Sequence, residues 1–476
     1  MITRRSFLKT TALAAGATAL SARSWGQVTG ANSDIRIAVA GLNSRGKSLV
    51  DGFRAVKGAR VVALCDVDSA VLGRASQTYG ISSTAEDIRD LLARSDIDAI
   101  GLATPNHWHA LQTIWAAQAG KDVYVEKPVS HEIWEGQQMV AALKKYGRMG
   151  EAGSQARSSP AIREAVAWVR AGNLGKITVA RGLCYKRRAS LGLTEGPQPI
   201  PATVNFDLWC GPSPLTPPRR KMFHYDWHWF WGTGNGDIGN QGLHQMDVAR
   251  WFLGEEAVAP RAFAVGGRLG YVDDGQTPNT LAVMHDYPAA PLIFEVRGLP
   301  EKAGAKAMDK YHGLDIGVVV HCEGGTVVVP ATNYTSAQAY DRDGKLVKDF
   351  RGGASHFANF VEGVRSRRMA DLHVTVAESH VSSALAHVSN ISHRLGQATP
   401  PGELREKVRG QPALAESVGR MLEHLAANQV DLGTSPPVYG YPLEIDPVTQ
   451  RFVGNEAANA LLTREYRAPY VVPAIA

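Results

Sequence analysis

The sequence has few cysteines, no long apolar run in its main part, and no internal repeats. Four cysteines in 476 residues are too few for a disulfide-rich scaffold. Beyond the first 30 residues, no apolar stretch approaches the roughly 20 residues that a membrane-spanning helix needs. We therefore expect no membrane span in the mature protein. The length of the chain exceeds what one hydrophobic core usually serves, so we expect at least two domains.

The chain also has little excess charge. Its formal net charge is +6, and three of the positive charges belong to Arg4, Arg5 and Lys9 at the amino terminus. A chain this close to balance does not resemble a nucleic-acid binder. We therefore expect a small-molecule partner and no nucleic acid.

The first residues have the pattern of an export signal. Arg4 and Arg5 precede Phe7, Leu8 and a weakly apolar stretch that ends near residue 22. This pattern predicts a twin-arginine signal, and thus a periplasmic or otherwise exported protein. Because that pathway carries folded proteins, usually with a cofactor already inserted, we expect an enzyme that keeps its cofactor.

The next segment follows the pattern of a nucleotide-binding βαβ unit. A strand pattern leads into the turn Gly41-Leu42-Asn43-Ser44-Arg45-Gly46. The dinucleotide fingerprint is G-x-G-x-x-G, so Asn43 replaces the middle glycine but tolerates the left-handed backbone of such a turn. A helix pattern and a second strand ending at Asp66 follow. A carboxylate there accepts hydrogen bonds from ribose hydroxyls and repels a 2′-phosphate, which favours NAD over NADP.

Two later apolar strands run into polar residues. Because the carboxyl ends of parallel strands face the ligand in such folds, these residues are candidates for the cofactor site. His107 and His109 have one residue between them in a predicted loop. Two histidines at this spacing make a poor chelate, so we expect no metal. The polar residues at these strand ends are Thr104, Asn106, His109, Glu126 and Lys127.

These motifs resemble those of the Gfo/Idh/MocA oxidoreductases, the group of glucose-fructose oxidoreductase and inositol dehydrogenase. The resemblance rests on the glycine turn, Cys65-Asp66-Val67-Asp68, residues 104–109, Glu126-Lys127-Pro128 and residues 153–158. It implies an α/β Rossmann domain followed by an α+β domain with a large, mostly antiparallel open sheet. It also implies NAD or NADP, usually a sugar or polyol substrate, and a homodimer or homotetramer. By this resemblance, Lys127 lies beside the nicotinamide and binds or polarises the reacting oxygen.

We divide the chain on this basis into four parts. Residues 1–30 are the predicted signal and linker, 31–155 the NAD-binding domain, 156–400 the substrate-binding and oligomerisation domain, and 401–476 an extension. The extension is predicted to form a lid, an interdomain clasp or an oligomer contact. The predicted cofactor-binding residues are Gly41, Asn43, Ser44, Arg45, Gly46, Asp66, Thr104, Asn106, His109, Glu126, Lys127 and Gln155.

An aromatic segment, residues 223–231, contains six aromatic residues and two histidines. Flat rings stack on the C–H faces of pyranoses, so the segment predicts a carbohydrate platform, with a hydrophobic plug between domains as the alternative. The basic stretch at residues 185–188 is either a carbohydrate contact or a solvated strand end. The predicted substrate-binding residues are Lys186, Arg187, Tyr225, Trp227, His228 and Asn240.

A helix pattern after the aromatic segment places Asn240, His244 and Asp247 on one face. It resembles the family's catalytic motif Asp-x-x-x-His-x-x-Asp, with Asn240 replacing the first acid. An amide takes up no proton at neutral pH, so Asp237 is a candidate to compensate. His244 is the predicted general base and Lys127 the predicted stabiliser of the developing oxygen charge. The predicted catalytic residues are Lys127, His244, Asp247 and Asn240.

Three functions remain open at this point. The first is an exported NAD-dependent oxidoreductase that acts on a hydroxyl of a sugar, sugar derivative or glycoside. Because a periplasm supplies no free NAD, its cofactor would be tightly bound and recycled in place. The second is a glycosidase similar to the family's NAD-dependent α-N-acetylgalactosaminidases, which uses transient C3 oxidation and elimination. The third is a non-catalytic sugar sensor, which the presence of both Lys127 and His244 disfavours.

Overall fold

The computed structural model describes residues 34–476. The predicted export signal at residues 1–30 lies outside the described residues. Within residues 34–476, no helix has both the length and the apolar character needed to cross a bilayer. The four cysteines of the chain, all in the described region, are free and buried.

The first domain is built on a parallel sheet, with six strands in the described part of the chain, ordered β3-β2-β1-β4-β5-β6. The chain proceeds outward from β1 on one side and then crosses to β4 on the other. Such a reversal opens a crevice at the carboxyl ends of β1 and β4, where ligands bind in α/β folds. The strands are β1 (Ile35–Ala40), β2 (Ala59–Cys65), β3 (Thr84–Ala85), β4 (Ala99–Leu102), β5 (Asp122–Val125) and β6 (Gly150–Ala152).

Helices cover both faces of this sheet with apolar side chains. One face is packed by α1, α2 and the helix at residues 356–366, which comes from the second half of the chain. The other face is packed by α3, α4 and α5. These helices of the first domain are α1 (Arg45–Arg54), α2 (Ser69–Tyr79), α3 (Ile88–Leu92), α4 (Asn106–Gln118) and α5 (Ile133–Lys145).

The second domain contains a sheet of eleven strands, counted over residues 34–476. The order is β14-β13-β12-β11-β7-β10-β9-β8-β16-β15, and β17 also pairs with β8. Only the pairing of β7 with β10 is parallel in this described sheet, so the predicted large and mostly antiparallel sheet is confirmed. The strands are β7 (Ile177–Tyr185), β8 (Arg261–Gly267), β9 (Thr280–Asp286), β10 (Leu292–Arg297), β11 (Ile316–Cys322), β12 (Gly325–Pro330), β13 (Ser336–Asp341), β14 (Leu346–Arg351), β15 (Gln397–Ala398), β16 (Val438–Tyr439) and β17 (Leu443–Glu444).

Helices also lie on both faces of the large sheet. The face towards the first domain packs against α6, α8 and α10. The opposite face of β8–β10 is covered by α11 and α12 of the extension. The remaining helices are α6 (Pro160–Arg170), α7 (Phe206–Cys210), α8 (Leu243–Leu253), α9 (His356–Ser366), α10 (Val376–Arg394), α11 (Pro401–Val408), α12 (Pro412–Ala427) and α13 (Glu456–Ala460).

The last residues of the chain return to the first domain. The ring of Tyr470 packs edge-on against Trp108 of α4, with 5.4 Å between ring centroids. The Tyr470 hydroxyl donates a hydrogen bond to Asp207 of the second domain at 2.9 Å, and Arg467 pairs with the same carboxylate at 2.5 Å. Of the three roles predicted for the extension, these contacts support an interdomain clasp.

We predict that Tyr470→Ala destabilises the protein by about 3 kcal/mol, because it removes a buried aromatic side chain and leaves a cavity. Urea unfolding, followed by tryptophan fluorescence, measures this loss. Tyr441→Ala is the control, since Tyr441 of the same extension is 49% exposed. An equal effect of the two substitutions would contradict the clasp.

Candidate active site

A cavity of about 380 Å³ lies between the two domains. Most of the residues predicted from the sequence line it, and three do not: Gly46, Arg187 and Asp247. The cavity is lined by these predicted residues: Gly41, Asn43, Ser44, Arg45, Asp66, Thr104, Asn106, His109, Glu126, Lys127, Gln155, Lys186, Tyr225, Trp227, His228, Asn240 and His244.

The glycine turn lies between β1 and the amino end of α1. Gly41 has a φ of 81°, and a Cβ there would lie 2.5 Å from the carbonyl oxygen of Ala103. A Cβ on Gly46 would lie 1.6 Å from the carbonyl oxygen of Gly41. Gly46 therefore lies behind the cavity wall and permits close packing of helix and strand. The amino end of α1 faces the cavity, where its unpaired N–H groups favour phosphate oxygens.

Asp66 follows β2 and holds the glycine turn directly. Its carboxylate accepts hydrogen bonds from the backbone N–H of Leu42 at 2.7 Å and of Asp68 at 3.0 Å. Burial raises the pKa of Asp66, and these two N–H groups oppose that rise. Each carboxylate oxygen retains a second lone pair that a ribose hydroxyl can use. The predicted ribose contact is compatible with this geometry.

Lys127 reaches across the cavity to the second domain. Its ammonium group donates to the backbone carbonyl of Asn240 and lies 3.5 Å from the side-chain oxygen of that residue. Burial, together with the charges of Arg45, Lys186 and Arg188, lowers the pKa of Lys127 to about 8. The structure therefore brings Lys127 and Asn240 together. The Lys127 side chain is charged at neutral pH and loses its proton above about pH 8.

His244 lies in the first turn of α8 and lines the cavity. Its side chain is buried and its Nδ1 atom has no hydrogen-bond partner in the described chain. Burial, and then the charges of Lys127 and Arg45, lower the pKa of His244 well below its usual value. The imidazole is thus neutral at pH 7 and has a nitrogen available to accept a proton.

Asp247 does not contact the cavity, contrary to its predicted catalytic role. Its carboxylate accepts two hydrogen bonds from Arg157, at 2.9 and 3.0 Å, and one from Ser382 at 2.6 Å. Burial disfavours the charge of Asp247, but Arg157 and Arg250 outweigh it and lower the pKa of Asp247. Asp247 is therefore a positioning residue that fixes α8 against Arg157 and α10.

Arg157 has no predicted role, although it lies within residues 153–158, which carry part of the family resemblance. A buried acid requires a cationic partner, and that requirement is the signal that could have identified Arg157.

Asp237 does not compensate for the amide at position 240. Its carboxylate pairs with the guanidinium of Arg188, at 2.5 Å. Asp237 is thus neutralised, and it does not line the cavity.

Arg188 lines the cavity, whereas the predicted Arg187 is exposed. Successive side chains of an extended strand end point to opposite sides, so the sequence prediction was displaced by one residue.

The aromatic segment supplies both a cavity wall and a buried plug. Tyr225, Trp227 and His228 line the cavity, and the His228 ring stacks on Trp227 with 3.7 Å between ring centroids. Phe223 instead packs with Trp209 in a small buried cluster. Trp227 belongs to this cluster and also lines the cavity, so the segment forms a plug, and the predicted carbohydrate platform stays a prediction.

Part of the second domain closes over the Asp66 end of the cavity. The backbone N–H of Asn205 donates to the carbonyl oxygen of Val67 at 2.8 Å. The His224 imidazole lies 2.9 Å from the carboxylate of Asp68. We call these two contacts the latch. The sequence gives no local signal for them, because they join residues more than 130 positions apart.

The cavity fits a dinucleotide. Besides the glycine turn and Asp66, it contains buried polar atoms without a partner in residues 34–476: Nη2 of Arg45, Oε1 of Gln155 and Nδ1 of His244. Such orphaned groups are rare unless a ligand or water satisfies them. The amino end of α1 would hold the diphosphate and Asp66 the adenosine ribose, which leaves Lys127 and His244 for the nicotinamide end.

We predict that Asp247→Asn lowers the free energy of unfolding by about 3–5 kcal/mol, because it leaves Arg157 without its buried partner. Urea unfolding measures this loss. Asp349→Asn removes an exposed ion pair with Arg351 and is expected to cost under about 1 kcal/mol. If Asp247→Asn abolished activity with unchanged stability, a direct catalytic role would replace the positioning role.

Comparison with known proteins agrees with this architecture. Residues 35–153 match the family model of the Gfo/Idh/MocA oxidoreductases, described as an NAD-binding Rossmann fold. Residues 163–277 match the model of the family's C-terminal alpha/beta domain.

Similar curated proteins include a "Glycosyl hydrolase family 109 protein 2" of Shewanella sp. (strain ANA-3), 34% identical over 161 residues, which are 28% of this chain and 35% of that protein. A levoglucosan dehydrogenase of Pseudarthrobacter phenanthrenivorans is 27% identical over 227 residues, 45% of this chain and 51% of that protein. The chain thus spans between a third and about half of the length of these curated relatives.

Solved structures share the fold. The WlbA dehydrogenase of Bordetella pertussis, in complex with NADH and UDP-GlcNAcA, has a TM-score of 0.55 at 19% identity and covers 74% of this chain and 94% of its own. A levoglucosan dehydrogenase in complex with NADH and levoglucosan has a TM-score of 0.56 at 18% identity, with 74% and 95% covered. Because both matched models describe domains of the Gfo/Idh/MocA oxidoreductases, this chain belongs to that family and carries its NAD-binding Rossmann domain.

Proposed function

We propose that this protein is an exported NAD-dependent oxidoreductase that oxidises a hydroxyl group of a sugar, sugar derivative or glycoside. One observation carries the proposal: a single cavity joins the glycine turn to Lys127, His244 and the aromatic wall. The levoglucosan dehydrogenase similarity over 45% of the chain supports a carbohydrate substrate.

The two central side chains have complementary charge states for this reaction. NAD supplies the acceptor for the hydride when it is bound. The neutral His244 imidazole takes the proton of the substrate hydroxyl as general base. The charged Lys127 ammonium donates a hydrogen bond to the same oxygen and stabilises its developing negative charge. Asn240 positions Lys127 through its carbonyl oxygen.

Cofactor retention completes the proposal. The twin-arginine pattern at Arg4 and Arg5 favours export of the folded protein, and no free NAD is expected in that compartment. The latch closes over the Asp66 end of the cavity and so opposes release of the adenosine half. We infer a cycle in which a second substrate reoxidises the bound cofactor.

A glycosidase is the second candidate. The 34% identity to a glycosyl hydrolase family 109 protein over 161 residues favours it. In that route the hydride returns to the substrate after elimination and water addition, so no external acceptor is needed. The same cavity and the same retained cofactor serve both candidates.

We predict that His224→Ala accelerates release of bound nucleotide by about tenfold, because it removes the charge-assisted contact of the latch. The measurement is the nucleotide absorbance that remains with the protein through successive gel filtrations. His373→Ala is the control, since His373 pairs with Ser158 away from the cavity. Equal retention of nucleotide by the wild type and His224→Ala would contradict the role of the latch in cofactor retention.

The reaction itself is tested with protein purified without added cofactor. We incubate it with free sugars and nitrophenyl glycosides and record absorbance at 340 nm and nitrophenol release together. The oxidoreductase predicts bound NADH on a free sugar without glycoside cleavage. Nitrophenol release without NADH accumulation would establish the glycosidase instead, and neither signal with any compound would contradict both enzymes.

Lys127→Ala is expected to lower kcat/KM by about a hundredfold, the usual cost of losing one donor to a developing oxyanion. The surface variant Lys144→Ala is the control.

In the wild type, kcat/KM should fall as pH rises through about 8, because the pKa of Lys127 is lowered to about 8 and the required ammonium is lost above it. A flat profile to pH 10 would contradict this role.

A further inference from the structure

The part of the cavity around Asn240 carries more positive than negative charge. Lys127, Lys186 and Arg188 all line it. Arg188 is neutralised by the buried carboxylate of Asp237 at 2.5 Å. Neither lysine forms an ion pair with a carboxylate anywhere in residues 34–476. Two cations therefore remain beside the predicted reaction centre without an acid to balance them.

The direct partners of these two lysines are neutral. Lys186 donates to the side-chain oxygen of Gln241 at 3.2 Å, and Lys127 donates to the carbonyl of Asn240. The nearby Glu126 is held by Arg45 at 2.7 Å. An acid at position 240 or 241 would balance the lysines, but the chain has an amide at both.

Apart from Glu126, the acids that line the cavity belong to its other end. Asp66 accepts hydrogen bonds from the backbone N–H groups of Leu42 and Asp68, and Asp87 pairs with Arg89 at 2.5 Å. Charges in a partly buried cavity are costly unless they are paired. The excess positive charge around Lys186 is thus available to a ligand.

We propose that the substrate is an anionic sugar, one that carries a carboxylate, and that Lys186 binds this carboxylate while Lys127 contacts the reacting oxygen. This inference rests on the proposed function and narrows its substrate class. Lys186 is a specificity-determining residue, since a substrate with a neutral group in place of the carboxylate leaves its charge unpaired. A diphosphate of the cofactor is the other anion that Lys186 could meet, and the experiment separates the two.

The test is equilibrium binding by calorimetry to the NAD-loaded protein, which requires no turnover. The probes are pairs that differ only at C6: glucose and glucuronate, galactose and galacturonate, mannose and mannuronate. We expect at least one acid to bind about tenfold or more tightly than its neutral partner, the usual effect of one charge-assisted hydrogen bond. Absorbance at 340 nm in the same samples reports turnover separately.

Two variants and one control locate the effect. Lys186→Met should abolish the preference for the acid and leave binding of the neutral partner within about twofold. Gln241→Glu should do the same by supplying an internal carboxylate to Lys186. Lys176→Met is the control: Lys176 is exposed at the opposite end of β7, so it removes the same charge outside the cavity.

Each outcome decides between the alternatives. Equal or weaker binding of all three acids overturns the inference, even if a neutral sugar is oxidised. Loss of NAD affinity in Lys186→Met, with the acid preference retained, assigns Lys186 to the cofactor and also overturns it. Acid-selective binding that depends on Lys186, without any NADH formation, supports the inference and contradicts the proposed oxidation.

Discussion

Charge pairing in a partly buried cavity is the constraint on which this site depends. Ionised groups removed from water are stable only with a partner. Arg45 has Glu126, Arg188 has Asp237, and Arg157 has Asp247. These pairs fix the walls around the cavity.

Lys127 is the central exception to this pairing. Its direct partners are the oxygens of Asn240, and burial lowers its pKa to about 8. A cation with few competing contacts is free to stabilise charge that develops on a bound oxygen. The pairs around the cavity thus leave charge available at the one point where chemistry would use it.

The position of that lysine depends on how the two domains meet. Lys127 comes from the end of β5, whereas Asn240 comes from the π-helical turn Ile238–Gly242 that precedes α8. Asp247 holds α8 in place through Arg157, and Tyr470 joins Trp108 to Asp207 at the domain boundary. Rigid elements on both sides therefore position the two halves of the cavity.

The C-terminal extension also limits how copies of the chain could associate. Helices α11 and α12 cover β8–β10 on the outer face of the large sheet. A dimer formed through that face would have to use the strands towards β14.

Much of the fold and part of the site followed from local sequence pattern. Apolar strands that end in Asp66 and in Glu126-Lys127 predicted the crevice edge, because parallel strands deliver their carboxyl ends to one place. The helix pattern after the glycine turn also predicted α1 (Arg45–Arg54).

The predictions for individual side chains were wrong where contacts between residues distant in the sequence determine the position of the side chain. Asp247 looked catalytic because it shares a helix face with His244, but Arg157, ninety residues earlier, orients its carboxylate. Arg187 was chosen over Arg188 because composition does not reveal on which side of a strand end a side chain lies. Contacts such as those of Arg157 depend on tertiary packing and leave no local trace.

The two ends of the cavity differ in the contacts that a bound molecule would meet. At the Asp66 end, His224 and Asn205 of the second domain bind directly to Asp68 and Val67. These contacts would enclose the adenosine end of a bound dinucleotide. At the Asn240 end, Lys127 and Lys186 hold only neutral oxygens, which an incoming anion displaces at lower cost than it would displace a carboxylate. This difference between the two ends supports the proposal that the nucleotide is retained while substrates exchange.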